Sequence, residues 1–380
     1  MESLSILERL VGFPTVSRDS NLELIEYVRE FLAARGIGSR LYPDATGRKA
    51  NLHASIGPPV DGGVLLSGHT DVVPVDGQRW TSDPFRLTER SGQLFGRGTA
   101  DMKGFIACAL RAMDRACRRA LRAPLHLALS YDEEVGCLGV RSLIEDMQTW
   151  RRRPQFCIVG EPTLLAAARG HKGKTALRAL CRGVAAHSAA PARGVNAIHL
   201  ACDLVAAVRH RQADIERSGA RDGAYGVPYT TLHVGVIHGG TALNIVPAQC
   251  EVELEIRNLP AEDALSIVAG IRTDAAAVAQ ALEAPPPAGV ELEILHEYPP
   301  LETAADSRVL ELVAQITGRS ETVKVDFGSE AGLFSARLGI ATVVCGPGSI
   351  AEAHRADEFL ALDQLRRCDA MLETLVELLT

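Results

Sequence analysis

The sequence predicts an α/β protein of two domains, with the second domain inserted into the first. Three observations support this prediction. Strand-like apolar runs alternate with amphipathic helical patterns through the first 170 residues, which is typical of an α/β sheet. A segment with the different order β-α-β-β-α-β begins near His171 and ends near Tyr298. The first pattern then resumes, so we expect the C-terminal residues to complete the sheet of the first domain.

In the first part of the chain, short apolar runs predict buried strands, and apolar residues three to four positions apart predict helices. The N-terminal segment predicts a short amphipathic helix that ends at Pro14. The next predicted elements, in chain order, are a strand at 64–68, a helix at 102–121, a strand at 125–129, a helix at 140–147 and a strand at 156–159.

The inserted segment has the element order of ferredoxin-like folds. Its predicted elements are a strand at 174–182, a helix at 196–217, strands at 231–237 and 248–257, a helix at 262–283 and a strand at 290–295. A stiff turn is predicted at 285–289, where three prolines precede Ala288 and Gly289. The elements predicted after the insertion are a helix at 309–317, a strand at 341–345 and a closing helix from Asp363. The predicted domains are therefore 1–172 and 297–380, which form the first domain together, and 173–296.

Composition excludes several function classes. The chain has 380 residues and a net charge of −7, so it lacks the basic surface expected of a nucleic-acid-binding or membrane-surface protein. The nine cysteines form no CxxC pair and mostly lie in apolar runs, which indicates buried free thiols in a reducing compartment. The N-terminus does not have the pattern of a signal peptide, and we expect a cytoplasmic protein.

Acidic and histidine residues follow four of the predicted strands. His69 follows the strand at 64–68, Glu133 and Glu134 follow the strand at 125–129, Glu161 follows the strand at 156–159, and the last strand leads through a glycine-rich loop to His354. Ligands of open α/β sheets bind beyond the carboxyl ends of the strands, so we expect these side chains to converge.

The remaining member of this set is Asp101, which follows a glycine-rich stretch and begins the helix predicted at 102–121. Singly, each of these residues has a simpler interpretation. His69 alone would be a structural histidine, Asp101 a helix N-cap, and Glu133 with Glu134 a solvated turn. Their joint placement is what favours a metal site.

Two imidazoles and several carboxylates form the ligand set that Zn²⁺ and similar divalent ions prefer. One carboxylate between two ions would make a two-metal hydrolytic site, and such a site needs a further carboxylate as general base. Of the adjacent pair Glu133 and Glu134, one would be a ligand and the other the base, and their spacing does not decide which is which. Asp71, two residues after His69, could orient the His69 ring.

Five ordered motifs carry a resemblance to a known family. GHTDVVP (68–74), LFGRGTADMKG (94–104), YDEEVG (131–136), VGEPT (159–163) and GPGSIAEAH (346–354) resemble the zinc-dependent amidohydrolases, which include acetylornithine deacetylase, succinyl-diaminopimelate desuccinylase, aminoacylase and glutamate carboxypeptidase. The resemblance implies a mixed-sheet zinc-hydrolase catalytic domain of α/β class with an inserted ferredoxin-like domain that acts as a lid and mediates dimerisation. It implies two divalent metal ions, zinc or cobalt.

The resemblance also assigns roles to the converging residues. It implies that the metal ligands are His69, Asp101, Glu134, Glu161 and His354, with Asp101 between the two ions. It further implies that Glu133 is the general base and that Asp71 orients His69.

Three further segments resemble substrate-side segments of the same family. AAHSAAP (185–191) implies that His187 reaches the active site of a partner subunit and stabilises the oxyanion, although alone it would be a surface histidine. GGTALNIVP (239–247) and EIRNLP (255–260) imply substrate contacts for Asn244 and Arg257, where a guanidinium would suit an α-carboxylate. FGSEAG (327–332) implies a substrate-side loop that includes Gly328 and Ser329.

Within the family, several sequence segments resemble the acetylornithine deacetylases more than the desuccinylases. Similar segments are LERLVGFPTVSRDSN (7–21), RGVNAI (193–198), NIVP (244–247) and the GPGSI and AH of the last motif. Two departures concern no proposed ligand: Arg355 and Ala356 stand where Gln-Pro is common, and Ala189 replaces a serine. The expected activity is removal of the acetyl group from N2-acetyl-L-ornithine in arginine biosynthesis, by a homodimer.

Other functions stay open at this point. The substrate could be another N-acyl amino acid, such as acetylcitrulline or succinyl-diaminopimelate. A non-catalytic homologue would be expected to lack a ligand or the base, and all are present. A nucleotide-binding loop at Gly96 and Gly98 lacks the third glycine of its motif. Cys137 follows an acidic motif but is more simply explained by packing than as a nucleophile.

Overall fold

The computed structural model describes residues 2–281 and 288–380 of the chain. It has two compact units. The first comprises Met1–Gly170, Leu301–Val325 and Ser329–Thr380, and the second comprises His171–Pro300 and Asp326–Gly328. The domain limits given above from sequence stay a prediction.

The strands are numbered in chain order. They are β1 (Ser39–Pro43), β2 (Ala50–Ile56), β3 (Val64–His69), β4 (Thr88–Arg90), β5 (Gln93–Phe95), β6 (Leu125–Ser130), β7 (Phe156–Pro162), β8 (Ala167–His171), β9 (Lys174–Arg182), β10 (Thr231–Gly239), β11 (Gln249–Arg257), β12 (Gly289–Tyr298), β13 (Leu301–Glu302), β14 (Thr322–Val325), β15 (Ala341–Gly346) and β16 (Phe359–Ala361).

The α-helices are numbered in the same way. They are α1 (Glu2–Val11), α2 (Leu22–Ala33), α3 (Gly104–Ala116), α4 (Val140–Gln148), α5 (Ala197–Ser218), α6 (Ala264–Ala281), α7 (Arg308–Thr317), α8 (Ala331–Leu338) and α9 (Leu362–Leu378). No helix of the described residues is both long enough and apolar enough to cross a membrane.

The first unit contains a mixed sheet of nine strands, in the order β1-β2-β6-β3-β7-β15-β8-β13, with β14 paired to β8. The central strands β6, β3, β7 and β15 are parallel, whereas β1, β2 and β8 pair antiparallel to their neighbours. This arrangement confirms the predicted α/β class with a mixed sheet. It brings the carboxyl ends of four strands to one edge.

The central strands are apolar because both of their faces are buried. Leu66 and Ile158 belong to a core that also includes residues of α1, α2, α3, α7 and α9. Their neighbours Leu65 and Val159 point to the opposite face, since strand side chains alternate, and they are also fully buried. The helices α4 and α8 pack against each other and against strands of this sheet. Burial on both faces explains why these strands read as continuous apolar runs.

The helix predicted at 102–121 is shorter in the structure. Residues Thr99–Lys103 form a π-helical turn in which Asp101 has non-helical dihedral angles (φ −125°, ψ 91°), and α3 begins only at Gly104. A side chain at Gly104 would meet Leu360 and the Thr99 carbonyl oxygen at 2.5 Å, so this start needs glycine. The interpretation of Asp101 as a helix N-cap is wrong, because α3 begins three residues later.

The second unit contains the antiparallel sheet β10-β11-β9-β12 and the helices α5 and α6. Its element order, β-α-β-β-α-β, is the predicted one. Side chains from both helices and from β9 and β11 form its apolar core, for example Leu204, Ile271 and Val252. The predicted end of its second helix, at 283, and the prolines of the predicted stiff turn lie outside the described residues.

The cysteines are free thiols, as predicted. Cys202 is exposed and Cys117 is partly buried, and the other seven are buried.

Candidate metal centre

Parallel strands of the first unit bring acidic and histidine residues to one edge of the sheet. Strand β3 ends at His69, which pairs in register with Ser130 at the end of β6, and Glu133 follows three residues later. Glu161 lies near the end of β7, and β15 leads through a loop to His354. The predicted convergence of these segments is therefore present.

Asp101 lies between the two histidines. Its Oδ1 is 2.9 Å from Nε2 of His69, and its Oδ2 is 3.1 Å from Nε2 of His354. Each carboxylate oxygen thus faces a different imidazole. This is the geometry expected of a carboxylate between two cations.

Two more carboxylates complete the group. Oε1 of Glu134 is 3.1 Å from Nε2 of His354, and Oε1 of Glu161 is 3.8 Å from Nε2 of His69. Two sets of three residues each offer ligand atoms that lie within 4.8 Å of one another; they are His69, Asp101 and Glu134, and His69, Glu133 and Glu161. All five predicted ligands are therefore near one another.

Solvent reaches this cluster from the side of His354. The side chain of His354 is 50% exposed, whereas those of His69, Asp101, Glu134 and Glu161 are 8% exposed or less. His354 also has a left-handed backbone conformation, with φ 59°, at the end of the loop. The cluster is thus a buried donor set with one open side.

Burial and neighbouring negative charges raise the pKa values of three acids in the cluster. Burial, and next the charge of Asp101, raises the pKa of Glu161 to about 7. The pKa of Glu133 lies well above its usual range because of burial and the charge of Glu161, and burial together with Asp101 raises the pKa of Glu134. Buried acids in this state are stabilised by cations that approach them.

The histidines respond in the opposite direction. Hydrogen bonds with Asp101 and Glu134 raise the pKa of His354 to about 11, although burial opposes this. For His69, burial lowers the pKa, but the charge of Glu161 and the hydrogen bond with Asp101 outweigh it and raise the pKa well above its usual value. Both imidazoles are therefore stabilised in their charged form by the carboxylates beside them.

The donor set fits divalent cations. Oε1 of Glu161 is buried and has no hydrogen-bond partner among the described residues. A buried carboxylate oxygen without a partner is costly unless a cation or a water molecule binds it. Two imidazoles and three carboxylates are also the ligands that zinc and similar ions prefer.

Asp71 contacts the ring nitrogen of His69 that faces away from Asp101. Nδ1 of His69 is 2.9 Å from the backbone carbonyl oxygen of Asp71 and 3.6 Å from its carboxylate. Because a carbonyl oxygen only accepts, Nδ1 carries a proton, and Nε2 is the ring nitrogen on which a bound cation would take the place of a proton.

The Asp71 carboxylate also contacts the chain beyond β6. It accepts hydrogen bonds from the backbone N–H groups of Glu133 (3.1 Å) and Glu134 (3.3 Å) and from Oγ of Ser17 (2.7 Å). Asp71 therefore holds both the His69 ring and the Glu133-Glu134 segment, the first through its backbone and the second through its side chain.

Glu133 and Glu134 have different neighbours. Glu134 lies beside His354 and Asp101, whereas the Glu133 carboxylate accepts a hydrogen bond from Sγ of Cys137 at 3.4 Å. Glu133 thus lies beside the cluster without contacting His354 in the described contacts. Cys137 is fully buried, and burial raises its thiol pKa well above the usual value, which does not fit a nucleophile.

In the second unit, the segments of His187 and Asn244 are neighbours. His187 pairs with Ile245 in an isolated antiparallel bridge, and the Ser188 N–H donates to the Asn244 carbonyl oxygen at 3.1 Å. The side chains of His187 and Asn244 are exposed. These two predicted residues are therefore together and accessible.

Arg257 is already paired within the same unit. Its Nε and Nη2 lie 3.0 and 3.4 Å from the two Glu255 carboxylate oxygens, and Nη1 donates to the Tyr298 hydroxyl at 2.9 Å. A substrate carboxylate would have to share or replace these partners. Gly328 lies against the ring of the same tyrosine. A Cβ atom added at Gly328 would be 2.2 Å from a ring carbon of Tyr298.

Ser329 belongs to the first unit, where it is fully buried and accepts a hydrogen bond from the Ala331 N–H at 3.2 Å, at the start of α8. Its observed contact is structural.

The adjacent Glu330 was not singled out from sequence. Both of its carboxylate oxygens are buried without a hydrogen-bond partner among the described residues, and burial raises its pKa to about 8. Its position in FGSEAG, immediately before a buried helix, was the available signal.

A family model matches most of the chain. The model describes peptidase family M20/M25/M40, and it matches residues 65–378. That range includes all five residues of the candidate metal centre.

Relatives of known structure or activity are similar over nearly the whole chain. An acetylornithine deacetylase of Shigella sonnei (strain Ss046) is 37% identical over 365 residues, which are 94% of this chain and 92% of that protein. An M20 family metallo-carboxypeptidase of Sulfolobus solfataricus has a TM-score of 0.79 at 19% identity and covers 100% of this chain and 99% of its own. A dinuclear metal-binding M20 peptidase of Bacillus subtilis has a TM-score of 0.69 at 16% identity, with coverage of 99% and 97%. At these identities the two structures support the fold.

Proposed function

Because this chain belongs to peptidase family M20/M25/M40, we propose that it is a metal-dependent deacetylase that hydrolyses N2-acetyl-L-ornithine to L-ornithine and acetate, a reaction of arginine biosynthesis. The observation that carries the reaction class is the position of Asp101 between two histidines, with Glu134 and Glu161 beside it. The choice of substrate rests on the 37% identity to an acetylornithine deacetylase. We place the reaction in the cytoplasm.

In this proposal the five clustered residues hold two divalent metal ions. His69 and Glu161 would hold one ion and Glu134 and His354 the other, and Asp101, which lies between the two histidines, would serve both. Zinc is the first expectation for both ions, and cobalt suits the same donors. Bound ions of this kind acidify water and stabilise negative charge on a carbonyl oxygen.

Glu133 moves the protons. It lies beside the cluster, and its raised pKa indicates a carboxylate that readily accepts a proton. It takes a proton from the attacking water and passes it to the leaving amine, so that the amide bond breaks and the amino acid leaves with a neutral nitrogen. Asp71 holds the backbone of Glu133 in place during both transfers.

The second unit supplies the remaining contacts. We propose that the protein is a homodimer in which His187 of each subunit stabilises the oxyanion in the active site of the other. Asn244, Arg257, Gly328 and Ser329 are proposed substrate contacts. Of these, Asn244 is the exposed neighbour of the His187 segment, and Arg257 would exchange Glu255 for the substrate carboxylate.

A substrate panel tests this function. The enzyme, stripped of metal and then loaded with Zn²⁺ or Co²⁺, is assayed with N2-acetyl-L-ornithine, N-acetyl-L-citrulline and N-succinyl-diaminopimelate. We expect the highest kcat/KM with acetylornithine, by about tenfold or more, because one or two misplaced polar contacts cost that much. No activity should remain after chelation. A higher kcat/KM for acetylcitrulline or for the succinylated substrate would overturn the substrate, and activity without metal would overturn the mechanism.

A further inference from the structure

Two segments that carry candidate metal ligands run side by side in the first unit. Strand β5, which precedes Asp101, pairs antiparallel with β16, which follows His354, and Phe95 is opposite Phe359 in this ladder. Arg97 and Glu358 lie just beyond this pair, in the direction of the ligands. Neither residue was singled out from sequence.

Arg97 and Glu358 form a buried ion pair. Nη1 of Arg97 is 2.7 Å from Oε2 of Glu358, and the two side chains are 0% and 1% exposed. Burying two charges costs desolvation free energy, so a buried ion pair need not stabilise the fold. The other contacts of Arg97 and Glu358 therefore indicate the role of the pair.

Glu358 holds the backbone of Asp101. Its Oε1 accepts hydrogen bonds from the N–H groups of Ala100 (3.0 Å) and Asp101 (3.2 Å), and its backbone carbonyl oxygen accepts one from the Gly96 N–H (3.0 Å). These contacts fix the non-helical turn in which Asp101 lies. A charged acceptor makes such bonds stronger than a neutral one would.

Arg97 holds the other segment. Its Nη1 also donates to the Arg355 carbonyl oxygen at 3.3 Å, and its Nη2 donates to Oε1 of Gln78 at 2.6 Å. The amide nitrogen of Gln78 in turn donates to the His354 carbonyl oxygen at 3.2 Å. Arg97 is thus connected to the residue after His354 directly and to His354 itself through one side chain.

We propose that Arg97 and Glu358 are positioning residues that set Asp101 and His354 at the separation needed to bind the same cation. The two ligands are 253 residues apart in the chain, and their facing atoms are 3.1 Å apart. Arg97 and Glu358 link both backbones through one buried ion pair. The proposal rests on the proposed function, because it needs Asp101 and His354 to be metal ligands.

Three variants test it through metal binding. Glu358→Gln keeps the shape of the side chain but removes its charge, and Arg97→Lys keeps the charge but loses the forked contacts. Gln78→Ala removes the side chain that links Arg97 to His354 and that also accepts a hydrogen bond from Nε1 of Trp80. Arg111→Lys is the matched control, since Arg111 on α3 forms a partly buried ion pair with Asp369 on α9 (2.9 Å). The metal-free full-length proteins are titrated with Co²⁺ and followed by calorimetry and visible absorption.

We expect Glu358→Gln and Arg97→Lys to bind one of two Co²⁺ ions about 10- to 100-fold more weakly than the wild type. This is the usual loss of metal affinity when a residue that holds a metal ligand in place is substituted. Gln78→Ala should show a smaller loss in the same direction, and Arg111→Lys should bind as the wild type does. Because neither Arg97 nor Glu358 is proposed to touch substrate, KM at saturating Co²⁺ should be unchanged. If Glu358→Gln does not fold, Arg97→Lys and Gln78→Ala decide the outcome.

The possible failures are distinguishable. Wild-type affinity for both ions in Arg97→Lys and Gln78→Ala would overturn the positioning role and leave the proposed function intact. An equal loss in Arg111→Lys would also overturn it, since any partly buried arginine would then have the same effect. A wild-type protein that binds no Co²⁺ would overturn both proposals.

Discussion

Glu133→Gln is expected to lower kcat by about 10²- to 10⁴-fold, the usual contribution of a general acid–base group. Glutamine keeps the size of the side chain and its ability to accept the hydrogen bond from Cys137, but it cannot accept and return a proton. The Glu133 backbone would still be held by the Asp71 carboxylate, so the segment should keep its position. The loss should therefore come from proton transfer alone.

Metal analysis separates this role from that of a ligand. The variant should bind as much metal as the wild type, because Glu134, and not Glu133, lies at hydrogen-bonding distance from His354. Glu145→Gln, the same substitution at an exposed position on α4, is the control and should leave kcat unchanged. Near-normal turnover in Glu133→Gln would refute the proposed base. Loss of metal together with activity would instead make Glu133 a ligand and Glu134 the base.

The second large effect concerns His187. His187→Ala is expected to be about 10²- to 10³-fold slower than the wild type, as when one oxyanion donor is removed. The side chain is exposed in its own subunit, and the described contact of its ring is a bond accepted from the Ala189 N–H at 3.1 Å. Loss of this one exposed contact should change the stability of the fold little. A loss of activity in His187→Ala would therefore indicate that the ring acts in catalysis.

A mixed dimer tests whether that role is in the other subunit. Glu133→Gln and His187→Ala chains are co-expressed with different tags, and the dimer that carries both tags is purified. One of its two sites combines an intact Glu133 with an intact partner His187, so we expect about half of the wild-type activity from two nearly inactive chains.

His199→Ala is the control for the second unit, because His199 is also exposed and should be dispensable there. Full activity of the His187→Ala homodimer would show that this histidine is not needed. An inactive mixed dimer would show that His187 acts within its own subunit, and a protein that is monomeric during turnover would contradict the proposed arrangement altogether.

Local sequence signals were sufficient for the four central parallel strands of the sheet and for the residues that follow them, but its other five strands (β1, β2, β8, β13 and β14) were not predicted. Strands buried on both faces give apolar runs, and parallel strands end at a common edge, so the positions of His69 and Glu161 after two such runs predict that they lie together. Asp101 and His354 lie several residues beyond the strands that precede them, so strand ends do not place them. Their roles, and the order of roles within Glu133 and Glu134, came from resemblance to a family.

Other features could not be predicted, because they depend on long-range contacts. Nothing near Asp101 in sequence shows that its turn is held by Glu358, which is 257 residues away. The predicted helix also began inside this turn, at Met102, where the backbone is not yet helical. The closer approach of His69 to the Asp71 carbonyl oxygen (2.9 Å) than to its carboxylate (3.6 Å) depends on local geometry that residue types do not encode.

Anomalous X-ray diffraction from crystals of the zinc-loaded protein tests the central claim most directly. The proposed site predicts two strong peaks about 3.5–4 Å apart on either side of the Asp101 carboxylate, the usual separation in two-metal sites. One peak should contact His69 and Glu161, and the other should contact Glu134 and His354. Zinc bound elsewhere on the protein, with no peak beside Asp101, would contradict the claim.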